Sequence, residues 1–268
     1  MEKQTGIISF TSDFGIEDGY TGIVKGVIKS INPSAEIIDL SHQIKPFDVL
    51  QGAWIISNSY SFFPENSIHL VIVDPAVGSR QRRILLTNKR HHFIGPDSGV
   101  FSLLLNNRSE SWKSFELTNQ TLLLNQISTS FHARDIFGPI AAHLSLGRKP
   151  EEVGPEIEVD SLNRSACQTV KKDGKKIEGE ILYIDRFGNL ITNIPVSLVA
   201  PAVSNVSSVS IKDITINEVS TTYSAVEKEE LLVFPGSHGF IEIAVNQGSA
   251  EKKLAVSTGE PVWVETIN

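Results

Sequence analysis

The chain has 268 residues, 40% of them hydrophobic and 21% charged, an ordinary globular composition with length for about two domains. The formal net charge of −7 argues against a general nucleic-acid binder, which would show a basic face. No segment reaches the roughly 20 apolar residues of a membrane helix, and the apolar run near the N-terminus is too short for a signal peptide, so a cytoplasmic protein with neither membrane nor nucleic-acid partners is expected.

Strand-like and helix-like segments alternate through the first half. GIISFTS (6–12) reads as a short buried strand, and DGYTGIVKGVIKSI (18–31) carries apolar residues near helical spacing. AEIIDLS (35–41) is strand-like again, and FDVLQGAWIISNSYSFF (47–63) is helix-like. IHLVIVD (68–74) is the clearest buried strand, and RILLTN (83–88) follows it. GPDSGVFSLLLNN (95–107) reads as a turn into a helix, and DIFGPIAAHLSLG (135–147) as a further helix. Such alternation predicts an α/β domain with a mostly parallel sheet over residues 1–165.

Beyond KKDGKK (171–176), a solvated hairpin tip by its charge, the pattern changes. ILYID, LITNI, VSIKDITI, LLVFP, GFIEIAV and PVWVETI are short, β-rich and divided by Gly, Asn and Pro. They predict a smaller antiparallel β domain over 176–268, with a linker at about 166–175. Cys167 is the single cysteine, which rules out an intrachain disulfide and fits a reducing compartment. The seven histidines include no HExxH and no cysteine partner, so no metal site is expected.

Ligands of open α/β sheets sit beyond the carboxyl ends of strands, and two strands here end on acids. Asp13 follows the first, with Asp18 at the start of the next helix. One reading has Asp13 bonding its own turn and Asp18 capping the helix; the other has the carboxylates receiving ribose hydroxyls and a cationic amine. Asp74 ends the strand IHLVIVD and is followed by a loop carrying Arg80, Arg82 and Arg83. An arginine folded back on Asp74 would keep it ionised in a dry site, whereas Asp–Pro also simply starts turns and the arginines also fit a solvated surface. His132 precedes a predicted helix in FHARDIFGP, where it is either structural or catalytic. Asp185 and Asn189 flank a Phe–Gly turn, and Ser237 and Asn246 bracket the last hairpin-like stretch.

Taken in order, TSDFGIEDGYTG, PFDVLQGA, VDPAVG with its RR pair, GPDSGV, FHARDIFGP, IDRFGNLITNI and GSHGFIEIAVNQGSA resemble the S-adenosylmethionine (SAM) hydroxide adenosyltransferases. These adenosine-forming SAM hydrolases are related to the fluorinase and chlorinase enzymes, and the resemblance runs from about residue 6 to the C-terminus. It implies an N-terminal α/β domain, a C-terminal β domain, and a homotrimer with active sites between subunits. It also implies hydrolysis of SAM to adenosine and methionine, with no cofactor because SAM is the substrate.

By resemblance the catalytic set is Asp74, an arginine and His132. The family reads DPGVGxxRR where this chain reads DPAVGSRQRR, one residue longer with Ala76 in place of a glycine. Matching the RR pair makes Arg82 the arginine, with Arg80 and Arg83 as fallbacks; matching without a gap puts Gln81 there. Substrate contacts are carried over to Asp13 (ribose), Asp18 (methionine amine), Phe47 (sugar), Asp185, Phe187 and Asn189 (adenosine) and Ser237 (methionine carboxylate), with Asn246 as a further polar candidate. His238 stands where the fluorinase has arginine, and Ser98 where asparagine is common.

The chemistry fits this set. A sulfonium leaves as a neutral thioether and needs no general acid, so the demand falls on placing and polarising water in line with C5′. Asp74 and His132 would handle that water, with Arg82 holding Asp74 ionised. An ionised carboxylate would repel a halide, which speaks against the same displacement by chloride. A SAM or adenosine binder without turnover is the other alternative.

Overall fold

Runs of β-branched and aromatic residues form the strands of the first half, and the most apolar of them, SIHLVI, is buried at every position. The computed structural model describes residues 6–106, 110–165, 169–199, 205–217 and 219–267. The chain divides into two compact units, Met1–Ala166 and Cys167–Asn268. Cys167 and positions 166–168 of the expected linker lie outside the described residues.

The first unit contains β1 (Ile7–Ser12), α1 (Tyr20–Ile31), β2 (Glu36–Ser41), α2 (Val49–Ser59), β3 (Ser67–Ile72), β4 (Arg83–Thr87), β5 (His91–Pro96), α3 (Ser102–Leu105), β6 (Lys113–Glu116), α4 (Gly138–Ser145) and β7 (Glu156–Ile157). Its seven-stranded sheet runs β2-β1-β3-β5-β4-β6-β7. Pairing is parallel for β1–β2, β1–β3 and β3–β5, and antiparallel for β4–β5, β4–β6 and β6–β7. The sheet is therefore mixed, and parallel pairing covers only one half of it. The reason is the short return from β4 to β5, which is a hairpin and not a helical crossover.

Strand periodicity builds two cores from one sheet. Ile68, Leu70 and Ile72 of β3 join Val24 and Ile28 of α1 and the apolar face of α4 on one side. Val71 and Val73 join Ile56 of α2 and Leu104 of α3 on the other. The helix expected over 47–63 is α2 followed by a 3₁₀ turn at Tyr60–Phe62. The helix expected from 135 is α4, entered through a π-helical turn at Ala133–Phe137.

Strand β5 was not anticipated, because its sequence opens on two histidines. Its burial is made possible by a polar chain: Ser9 Oγ lies 2.7 Å from His69 Nδ1, and His69 Nε2 lies 3.2 Å from His91 Nδ1. Burial pushes His69 down to about 3 and His91 down to about 4, so both are neutral and act as hydrogen-bonding core residues. His69 also stacks on Phe93, with centroids 4.9 Å apart.

The second unit holds β8 (Lys171–Asp173), β9 (Lys176–Ile184), β10 (Leu190–Pro195), β11 (Val206–Ile211), β12 (Ile214–Ile216), β13 (Leu231–Pro235), β14 (Phe240–Val245), α5 (Ala250–Leu254) and β15 (Pro261–Thr266). These form an antiparallel sheet, ordered β12-β11-β15-β9-β10-β14-β13 with β8 added against β9. Its end strands β12 and β13 approach each other, so the sheet is nearly closed around a core that includes Ile177, Leu190, Val209, Ile243 and Val264. KKDGKK is the exposed β8–β9 hairpin tip, turned through Gly174 at φ +56°. The segment VSIKDITI is not one strand but the β11–β12 hairpin, reversed at Lys212–Asp213.

One contact positions the end of β3. Gly52 of α2 faces Val73, and a Cβ added there would lie 2.9 Å from Val73 Cγ2 and 3.2 Å from Val100 Cγ2. In Gly52→Ala the gain in helix propensity, about 1 kcal/mol, competes with overpacking, about 1–3 kcal/mol. Val73 is a short, stiff side chain, so overpacking dominates. The variant is expected to lose about 1–2 kcal/mol in urea unfolding.

Candidate active site

Two parallel neighbours end side by side. Ser12 of β1 pairs with Ile72 of β3, so Asp13 and Asp74 emerge from adjacent strand ends, near enough for the Asp13 charge to oppose ionisation of Asp74. Asp13 does not bond its own turn. Its Oδ2 accepts the backbone N–H of Phe47 at 2.9 Å. Phe47 has φ +67° and is 66% exposed, a left-handed conformation that a bulky residue adopts only when held there.

A cavity of about 270 Å³ opens between these strand ends, lined by Asp13, Tyr20, Phe47, Asp74, Val77 and Phe131 among others. Tyr20, the first residue of α1, packs on Phe131 with ring centroids 5.3 Å apart, and Phe14 lies 5.9 Å from Tyr20 and 6.1 Å from Phe131. These aromatic walls and the two carboxylates make a mostly apolar cleft with a few convergent polar groups.

The loop after β3 is pressed against the segment that leads to His132. Gly78 has φ +80°, and a Cβ there would sit 2.3 Å from the carbonyl oxygen of Thr129, so only glycine permits the approach. Asp74 accepts hydrogen bonds from the backbone N–H of Ala76 and from Gln81 Nε2, the latter at 3.1 Å. Burial pushes its carboxyl above the usual range, against the pull of those donors and of His132. His132, 8% exposed, is pushed down by burial and by the nearby Arg83 charge, more than Asp74 and Asp135 raise it. At neutral pH the imidazole is therefore neutral, beside a carboxyl that burial makes harder to ionise.

Arg82 is not on Asp74. Its Nε donates to Asp97 Oδ2 at 2.9 Å, its Nη2 lies 2.7 Å from the same oxygen, and its Nη1 donates to Ser161 Oγ at 2.9 Å. Asp97 is 2% exposed and also accepts the N–H of Asn163, so its burial demands a paired cation and holds Arg82 in place. Gln81, which the match without a gap puts at the arginine's place, is the side chain on Asp74 instead. Arg80 is exposed, while Arg83 opens β4 within electrostatic range of His132. Ser98 donates to the carbonyl of Val73 at 3.0 Å and steadies the same strand end.

Asp18 is exposed, does not line the cavity and makes no cap, since α1 is preceded by Gly19 without a side-chain cap. In the second unit, Asp185 Oδ1 accepts the N–H groups of Phe187 and Asn189 at 2.9 Å, and Oδ2 accepts Asn189 Nδ2 at 2.9 Å. This fixes the Phe–Gly turn and leaves Phe187 76% exposed. Ser237 is exposed in the β13–β14 turn, at the far end of the paired β10 and β14 from Asp185. Asn246 is occupied structurally, donating through Nδ2 to the carbonyl of Val226 at 2.8 Å.

Several groups stand outside the expected set. Gln81 is one, reached only where the loop is matched without a gap. Tyr223 and Glu242 are others: Asn189 Nδ2 donates to Tyr223 Oη at 3.3 Å, and burial raises Glu242, which lies 3.6 Å from His238. Among the described residues no group of three or more His, Cys, Asp and Glu side chains is placed to hold a metal ion.

The N-terminal domain model of the SAM hydroxide adenosyltransferases matches residues 8–154, and the C-terminal domain model matches residues 179–263. The (R)-S-adenosyl-L-methionine hydrolase of Thermus thermophilus is 33% identical over 95% of this chain and 98% of its own. A fluorinase of Actinoplanes sp. is 28% identical over 70% of this chain and 71% of its own. A crystal structure of an uncharacterized conserved protein from Thermotoga maritima superposes with a TM-score of 0.88 at 34% identity, covering 96% of this chain and 99% of that one. With both domain models matched in order over strands that end on Asp13 and Asp74, the chain belongs to the SAM hydroxide adenosyltransferase family.

Proposed function

We infer that the protein hydrolyses SAM to adenosine and L-methionine by in-line attack of water on C5′. The observation that carries this reading is the pairing of a half-buried carboxylate, Asp74, with a neutral imidazole, His132, beside an apolar cavity. We propose that both accept a hydrogen bond from the same water; among the described residues neither is bonded to a cation. As the sulfonium leaves without needing a proton, only the nucleophile has to be prepared. Asp13 is proposed to receive the ribose diol while holding Phe47 against the sugar. Asp185, Phe187, Asn189 and Ser237 are proposed to contact adenosine and the methionine carboxylate. Asp18 and Asn246 have weaker support, the one exposed away from the cavity and the other bonded to Val226.

The similar hydrolases are named for the (R) epimer at sulfur, and we extend that preference to this chain. Halide is a poor nucleophile here because Asp74 is an anion in a partly dry site. The chemistry calls for no cofactor or metal. A homotrimer with sites between subunits is the proposed assembly, and a cytoplasmic location accords with a charged metabolite that does not cross bilayers.

Incubation with SAM in ¹⁸O-enriched water containing chloride is expected to give adenosine carrying ¹⁸O at the 5′ oxygen and equimolar methionine, with the (R) epimer consumed first. Intact SAM, or a 5′-chloro product, would sink this reading. Activity should fall on acidification as Asp74 takes up a proton above the ordinary carboxylate range and His132 takes one up at lower pH than a free imidazole. Asp74→Asn should lower kcat by about 10²–10⁴. Because a raised carboxyl favours the protonated fold, the anion's cost grows as pH rises, so the Tm of Asp74→Asn at neutral pH should be no lower than the parent's. Phe47→Gly should relieve the left-handed backbone and gain about 0.5–1 kcal/mol in denaturant unfolding, while KM for SAM rises severalfold.

A further inference from the structure

We propose that Gln81 is the positioning residue of this site: its side-chain amide, 3.1 Å from Asp74 Oδ1, aims the carboxylate at the nucleophilic water without supplying a counter-charge. The proposal rests on the hydrolase reading and adds to it a side chain that orients Asp74.

Three observations on the loop carry it. First, Arg82 cannot take this place without leaving Asp97, and Asp97 is a buried carboxylate whose ion-pair partner is that guanidinium. Second, Arg80 points to solvent exposure and Arg83 is fixed as the first residue of β4, where it acts on His132. Third, the loop itself is pinned at Gly78 against Thr129 and at Ser79, whose N–H bonds the carbonyl of Ala76 and whose Oγ accepts the N–H of Gln81 at 3.1 Å. The Gln81 backbone is therefore held where only its own side chain reaches Asp74.

The groups acting on Asp74 are few. The Ala76 N–H and Gln81 favour the anion, His132 favours it by charge, and Asp13 from the neighbouring strand opposes it. Arg83 and Asp135 act on His132 beside it. A guanidinium at the place of Gln81 would add a full positive charge, lowering the carboxyl by about 1–3 pH units and weakening it as an acceptor. An amide donor orients the same oxygen and leaves the carboxylate basic, which is the better compromise for a group that takes a proton from water near neutral pH. The lack of a counter-charge also keeps the anion's field unmasked against halide.

The test is a set of three variants followed by pH profile and by ¹³C titration of the Asp74 carboxyl, which needs no turnover. Gln81→Ala should lower kcat about 5–10-fold, the equivalent of one lost hydrogen bond, with KM for SAM within twofold of the parent. Gln81→Arg should move the acid limb of kcat, and the Asp74 titration with it, to lower pH by about 1–3 units, with a reduced plateau at neutral pH. Arg82→Ala should lower Tm by leaving Asp97 unpaired, with the Asp74 titration where it was. An Asp74 titration unmoved in Gln81→Arg, or moved upward in Arg82→Ala, would overturn the proposal and return the role to Arg82. If the parent releases no adenosine, the hydrolase reading fails, while the titration still decides whether Gln81 governs Asp74.

Discussion

A carboxylate can accept a proton from water only if it is ionised and still basic, and at Asp74 the way β1 and β3 end bears on both conditions. The parallel pairing delivers two acids to one cleft, and burial raises Asp74. In the proposed reaction that tension is the useful quantity. Full compensation by a cation would leave a weak base, and none at all would leave a protonated acid. Against burial, the Ala76 amide, the His132 charge and the Gln81 side chain each favour the anion of Asp74.

The rest of the first unit maintains that geometry. Gly52 lets α2 close on Val73, Ser98 bonds the Val73 carbonyl, and Gly78 lets the loop touch Thr129 beside the His132 segment. The Arg82–Asp97 pair ties the same loop to residues 161–163. Breaking a buried pair of this kind typically costs about 3–5 kcal/mol, enough to keep the loop in one arrangement. A structural ion pair thus stands next to the site and decides, by occupying the arginine, which side chain addresses the acid.

Strain is concentrated on the other wall. Phe47 is exposed and left-handed, and its amide is bonded by Asp13, so one carboxylate shapes the loop that also faces the cavity. Such a backbone is costly to hold and carries no packing benefit at this exposure, the pattern of a residue kept for a ligand. The second unit, by itself, has a stiff element in the Asp185 turn with its three hydrogen bonds, on which Phe187 is 76% exposed.

Much of this was legible in the chain. Hydrophobic period and turn residues located β1, β3, α1 and the antiparallel second unit, and strand ends on Asp13 and Asp74 marked the cleft, because these are local consequences of side-chain pattern. The order of motifs identified the family. What local pattern could not supply was pairing. The parallel half of the sheet gives way to an antiparallel half because β5 returns as a hairpin, and β5 itself is a strand only because His69, Ser9 and His91 satisfy one another across the sheet. Four polar or charged residues in a row, Arg80 to Arg83, read alike in sequence. Tertiary structure alone separates them, since the buried Asp97 claims Arg82, the start of β4 places Arg83 near His132, and the glutamine between them is left facing Asp74.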